Sequence, residues 1–188
     1  MATHTVFAIS AAAALFLLVS ALLAIARPGQ RFWPPTPGDR IAYRRFWWPF
    51  RLLVGGVVLL AFLDYRAAWE PGALLTTIGA GLLFVGFGFG FYLSGFLGWN
   101  DAHGDPTHLT TTGWYAWSRN PIYVATIIGM IGLGVLVGSW LESVLLLLWA
   151  ALYVVAPFLE EPWLEREFGD QYVAYQRSVP RFVGVRWR

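Results

Sequence analysis

Arg119-Asn120-Pro121-Ile122-Tyr123 leads into one apolar run, and a second apolar run closes into Phe158-Leu159-Glu160-Glu161-Pro162-Trp163-Leu164. These two stretches decide the fold. Asn120 followed by Pro121 is a helix start, because an amide side chain can cap and proline suits the first turn. The runs 121–139 and 143–159 are separated only by residues near Ser139–Ser143, which predicts an antiparallel hairpin of two membrane helices. A hairpin brings its open ends to one side. The cation at the first helix's start and the two carboxylates at the second helix's end are therefore predicted to meet at the bilayer boundary.

Working outward, the composition agrees. Of 188 residues, 57% are apolar and only 13% charged, which is too greasy for a water-soluble domain. Crossing the hydrocarbon takes about 20 apolar residues, and five segments qualify or nearly do: 5–26, 47–63, 74–99, 121–139 and 143–159. Arg51, near the start of the second, can snorkel to the surface. After Pro162, residues 163–176 place Leu164, Phe168, Tyr172 and Tyr175 at helical spacing among Glu165, Arg166, Glu167 and Asp170, an amphipathic pattern suited to the membrane surface. The expected fold is an all-α integral membrane protein of one domain, 1–188, with five transmembrane helices and a C-terminal interfacial amphipathic helix. Eleven tryptophans suit anchors at headgroup level.

All thirteen cations are arginine. Segments 27–51, 100–120 and the C-terminal tail hold twelve of them and only Arg66 lies elsewhere, so the positive-inside rule places the N-terminus outside and the C-terminus in the cytoplasm. A lysine-free, arginine-rich chain also points to a bacterial inner membrane. Ala24-Ile25-Ala26 has the form of a leader-cleavage site, but no Lys or Arg precedes Thr5 and the apolar run is long, so an uncleaved span is expected. Residues 27–46, with four prolines, read as an irregular loop. Gly86-x-x-x-Gly90 and Gly134-x-x-x-Gly138 read as close helix packing. With no cysteine, a disulfide framework and thiolate chemistry are excluded. His4, His103 and His108 lack the spacing of a metal site. No nucleic-acid partner is expected.

The pocket at the hairpin's open end carries the chemistry. A helix start with Arg119 beside it suits a carboxylate or phosphate, although Arg119 also reads as a topogenic charge. Glu160 and Glu161 suit ribose hydroxyls or an ammonium group, although two glutamates also mark where a span meets water. On one hairpin, the clusters together suggest a zwitterionic ligand with a sugar.

Leu109-Thr110-Thr111-Thr112-Gly113-Trp114-Tyr115, Arg119-Asn120-Pro121-x-Tyr123, Glu160-Glu161 and the tail Phe168-Gly169…Tyr172…Tyr175…Val179-Pro180 are together similar to the isoprenylcysteine carboxyl methyltransferase family, itself related to the integral-membrane phospholipid methyltransferases. The resemblance covers about 109–182. It implies a membrane enzyme using S-adenosylmethionine in a cytoplasmic pocket. It assigns Leu109, Gly113 and Tyr115 to the adenosine side, Arg119, Asn120, Pro121 and Tyr123 to the methionine part, and Glu160 and Glu161 to ribose or amine. The family usually has His where this chain has Asn120, and Gly where it has Ala125.

On that resemblance a lipophilic acceptor enters sideways from the bilayer. A prenylcysteine carboxylate is already nucleophilic and needs only desolvation and an orienting cation, for which Arg177 or Arg181 is the candidate. A phospholipid amine must first lose a proton, and Glu161 is then the expected base. Carboxyl O-methylation leads by resemblance. Methylation of a phospholipid or small lipophilic amine or thiol is the alternative, and a non-enzymatic scaffold or degenerate homologue stands beside both. A transporter is disfavoured because the spans contain almost no charge to mark a path.

Overall fold

The computed structural model describes residues 1–27, 31–36, 38–98 and 108–184. Among them are six α-helices, one 3-10 turn at Gly113–Ala116 and no strand. The helices are α1 (Ala2–Ala26), α2 (Arg40–Leu63), α3 (Ala73–Leu97), α4 (Pro121–Val137), α5 (Trp140–Phe168) and α6 (Asp170–Ser178). Helices α1, α2, α3 and α5 are long and apolar enough to cross a membrane, whereas α4 is apolar but 17 residues long.

Helices α1, α2 and α5 enclose the main core, with Leu17, Leu53, Leu60 and Leu145 fully buried in it. Helices α3 and α4 pair separately through glycine. A Cβ on Gly86 would strike the backbone of Gly129, and one on Gly132 would strike that of Leu83. The contact is therefore close backbone approach, as the Gly86–Gly90 spacing predicts. On α4, however, Gly129 and Gly132 supply it. Gly134 faces Leu146 at ordinary distance, and Gly138, at φ +62°, is the left-handed C-cap of α4.

Three expectations about boundaries are corrected. The arginine-rich stretch from Arg40 onward is helix, because the Asp39 carboxylate accepts from the N–H groups of Ile41 (2.9 Å) and Ala42 (3.0 Å) and so caps α2. The hairpin link is only Gly138-Ser139, with the Ser139 hydroxyl capping α5 by accepting from Glu142 N–H. At the far end, α5 runs unbroken through Pro157 and Pro162 to Phe168. The helix expected at 163–176 is thus divided: its first residues extend α5, and the remainder forms the nine-residue α6 after Gly169 at φ +54°.

At about 1.5 Å per residue the 29-residue α5 is roughly 43 Å long, well beyond a hydrocarbon layer of about 30 Å. One end of it carries Ser139 and Glu142 beside Asp64; the other carries Glu160 and Glu161, with Trp33, Arg119 and Arg181 gathered around them.

Candidate active site

The site is assembled from four segments at the open end of the hairpin. Helix α4 starts at Pro121, the first-turn proline that the sequence predicts, but the Asn120 side chain does not cap it. Its amide instead donates to the carbonyl of Arg181 at 2.9 Å. Arg119 N–H donates to Pro180 O at 3.0 Å. These bonds pin the tail, 179–181, against the start of α4. Helix α6 closes the same side: Tyr175 donates its hydroxyl to Tyr115 O at 2.7 Å, and Tyr172, Tyr175 and Val179 pack with Tyr115, Leu109 and Leu164 in a second small core.

Glu161 is the charge centre. Arg181 donates from Nε to Oε1 (2.8 Å) and from a terminal nitrogen to Oε2 (2.6 Å), a two-pronged bond. Arg119 lies 3.2 Å from the same Oε1. Hydrogen bonding to Glu161 raises the Arg181 pKa, so this cation persists at every working pH. Arg181 also lies 4.0 Å over the Phe158 ring. Burial, reinforced by the nearby Glu161 charge, pushes the Tyr172 phenol well up; burial does the same to Tyr175, so both remain protonated donors. Arg119 Nε is buried and has no hydrogen-bond partner among the described residues.

Glu160 is held differently. Trp33 Nε1 and Tyr123 OH both donate to its Oε1. Trp33 belongs to the loop between α1 and α2 and stacks on Phe46 at 4.1 Å. Arg31, two residues before it, lies 5.0 Å over the Trp163 ring and so fastens the loop to α5.

These residues border a cleft that holds about 840 Å³ of space when the open solvent at its mouth is included. Of the residues singled out from the sequence, Leu109, Tyr115, Arg119, Asn120, Tyr123, Glu160 and Glu161 line it. Pro121 is buried behind it as the first residue of α4. Gly113, at φ +61°, is exposed against Phe96, Arg181 acts through Glu161, and Arg177 is exposed on α6. His108 lines the cleft, whereas His103 lies outside the described residues. Ala125 is buried facing Gly90 of α3, which explains how alanine fits there. Trp33, Pro34 and Trp163 also line the cleft but stand out from no local pattern; only the interfacial preference of tryptophan hinted at two of them.

A second cavity, about 810 Å³ with its open mouth included, adjoins the first and is lined mainly by apolar groups such as Phe32, Phe46, Trp47, Phe50 and Leu152, with Ser94 and Tyr153. Trp33, Ile122 and Tyr123 border both.

A polar, arginine- and carboxylate-lined cleft thus lies beside an apolar chamber in a bundle of long apolar helices. The comparisons give the family: the phospholipid methyltransferase profile matches residues 74–171, and the chain belongs to that family. It is 31% identical over 156 residues to the nickel-cobalt-cadmium resistance protein NccN of Alcaligenes xylosoxydans xylosoxydans, covering 79% of this chain and 68% of that one. It is 36% identical over 74 residues to the protein-S-isoprenylcysteine O-methyltransferase of Schizosaccharomyces pombe, a match spanning 38% of this chain and 31% of the relative. No solved structure matches.

Proposed function

We propose that the protein is an S-adenosylmethionine-dependent methyltransferase acting on a lipophilic acceptor. The observation that carries this is the convergence of Arg119, just before α4, with Glu160 and Glu161 of α5 on one cleft with an apolar chamber beside it. The donor set fits the cofactor. Arg119 Nε, buried and unpartnered, suits the amino-acid carboxylate, as does the start of α4, which no side chain caps. Glu161, paired with Arg119 and Arg181, holds the Arg119 guanidinium in place at the cleft, and the lining of Leu109, Tyr115, Tyr172 and Trp163 suits adenine. Bound there, the cofactor supplies an electrophilic methyl group on a sulfonium. The chain's residues align the acceptor and exclude water.

The remaining features follow one arrangement. The whole chain, 1–188, acts as a single domain; α4 crosses with the four longer helices, and α6 lies at the interface. The arginine-bearing ends and the cleft face the cytoplasm of a bacterial inner membrane, while the acceptor enters from the bilayer. Carboxyl O-methylation and amine or thiol methylation both suit this arrangement, and the lining of the apolar chamber decides between them.

Thermal-shift measurement on detergent-purified protein tests the reading. S-Adenosylmethionine and S-adenosylhomocysteine are expected to raise the melting temperature of the wild type and not of Arg119→Ala. Absence of stabilisation in the wild type by either compound would count against an enzyme and favour a scaffold.

A further inference from the structure

The face of α2 turned away from the core carries a pattern that the cleft does not use. Arg40, Arg44, Trp48, Arg51, Gly55 and Val58 follow one another at intervals of three or four residues, and all are exposed. On a helix they form one continuous stripe, cationic toward the start of α2 and apolar beyond Arg51. The Arg51 guanidinium lies 5.9 Å over the Trp48 ring. No carboxylate pairs with Arg40, Arg44 or Arg51 among the described residues. Helix α1, packed beside α2, has no acidic residue, and the Asp39 carboxylate is engaged by the N–H groups of Ile41 and Ala42.

Depth makes this stripe more than a solvated face. Helix α2 ends at Leu63, and Arg51 stands roughly 18 Å from that end along the axis. Hydrocarbon is about 30 Å thick, so with Leu63 at its far edge the Arg51 backbone sits roughly 12 Å inside the near edge. A lipid-facing charge at that depth is costly unless it reaches the surface or meets a counter-charge. Helical side chains lean toward the helix N-terminus, so Arg51 extends back past Trp48 toward Arg44, whose backbone lies about 10 Å nearer the surface. Two guanidinium groups without a protein carboxylate therefore approach the headgroup boundary with an indole between them. A guanidinium grips a phosphate through paired N–H donors. Below them, a Cβ on Gly55 would meet nothing within 4 Å, which leaves a notch between the exposed side chains of Leu52 and Leu59.

We propose that this face of α2 binds one anionic phospholipid, with its phosphate between Arg44 and Arg51, its glycerol region against Trp48, and an acyl chain along Leu52, Gly55 and Leu59. The inference rests on α2 crossing the bilayer and is independent of the cofactor reading. The bound lipid is not the methyl acceptor, because Phe46 and Phe50, which line the apolar chamber, occupy the opposite face of the same turns. It supplies the counter-charge that the protein lacks here and braces α2 from outside, across the helix from that chamber.

The test places the full chain in nanodiscs of equal parts phosphatidylcholine and phosphatidylglycerol, then counts by native mass spectrometry the lipid retained after release into detergent. The wild type should retain phosphatidylglycerol in preference. An arginine at the membrane surface is worth about five-fold in binding. Arg44→Gln and Arg51→Gln should each lower the preference by about that factor, and the double variant should hold the two lipids equally. These side chains are exposed, so the double variant should melt with the wild type in phosphatidylcholine, which shows that it is folded. Arg66→Gln removes a cation that is paired with Glu70 beyond the other end of α2 and should leave the preference unchanged. Equal retention of both lipids by the wild type, an undiminished preference in the double variant, or an equal loss in Arg66→Gln overturns the proposal. Displacement of the lipid by inorganic phosphate would assign the arginines to a soluble anion and overturn it as well.

Discussion

Helix α5 carries acidic groups at both ends, and the two ends are built on different principles. At the cleft, Glu161 is 7% exposed and meets two arginines, while Glu160 meets an indole N–H and a phenol. At the opposite end, Glu142 is fully buried, its two side-chain oxygens have no hydrogen-bond partner among the described residues, and its neighbour Asp64 is occupied by the Ser139 hydroxyl. Burial is thus common to both ends. At the cleft, partners from several segments converge on the carboxylates, which line a cavity. Burial of a carboxylate therefore does not by itself distinguish the two ends of this helix; the partners gathered around it do.

Substitutions that remove one end's chemistry should separate the two most strongly. Glu161→Ala leaves Arg119, whose side chain is 10% exposed, and Arg181 without their carboxylate. Breaking a buried pair in this way costs about 3 kcal/mol or more, and a denaturation midpoint in detergent should fall accordingly, with S-adenosylhomocysteine binding lost. A midpoint within error of the wild type would show that the ion cluster is not formed. Next in size is Gly86→Val, which forces side-chain atoms into the backbone of Gly129; a loss of about 2–3 kcal/mol is expected from overpacking, read by the same midpoint. Tyr175→Phe removes the 2.7 Å bond to Tyr115 O and should cost about 1–2 kcal/mol, loosening α6 and weakening ligand binding modestly. Smallest is Glu142→Gln, which removes an unpartnered acid. Stability should change by less than about 1 kcal/mol or rise, with ligand binding unaffected. A large loss of binding in this variant would erase the distinction between the two ends.

The hairpin was legible because each signal is local. Asn120-Pro121 marks a start, Glu160-Glu161 marks an emergence into water, and the short link between the apolar runs leaves only one packing. The α3–α4 contact was half legible: glycine spacing announces close approach, but which α4 glycines face α3 depends on rotation of the helix, and Gly129 and Gly132 share no such spacing motif. The end of α5 is not legible locally, because Pro162 removes one backbone donor without ending the helix there, and Gly169 makes the break instead. Trp33 was invisible as a site residue. Its partner Glu160 lies 127 positions away, and only the folding of the α1–α2 loop over α5 brings them together. The charge at the far end was equally hidden, since Glu142 beside a turn reads as solvated until α2 brings Asp64 against it.

The most direct test is a calorimetric titration of S-adenosylhomocysteine into the full chain, run on the wild type, Glu161→Ala and Glu142→Gln. The proposed function predicts one binding site in the wild type, the same site in Glu142→Gln, and none in Glu161→Ala. No heat of binding in the wild type, or an unchanged site in Glu161→Ala, would contradict the assignment of the arginine–glutamate cleft as the cofactor site.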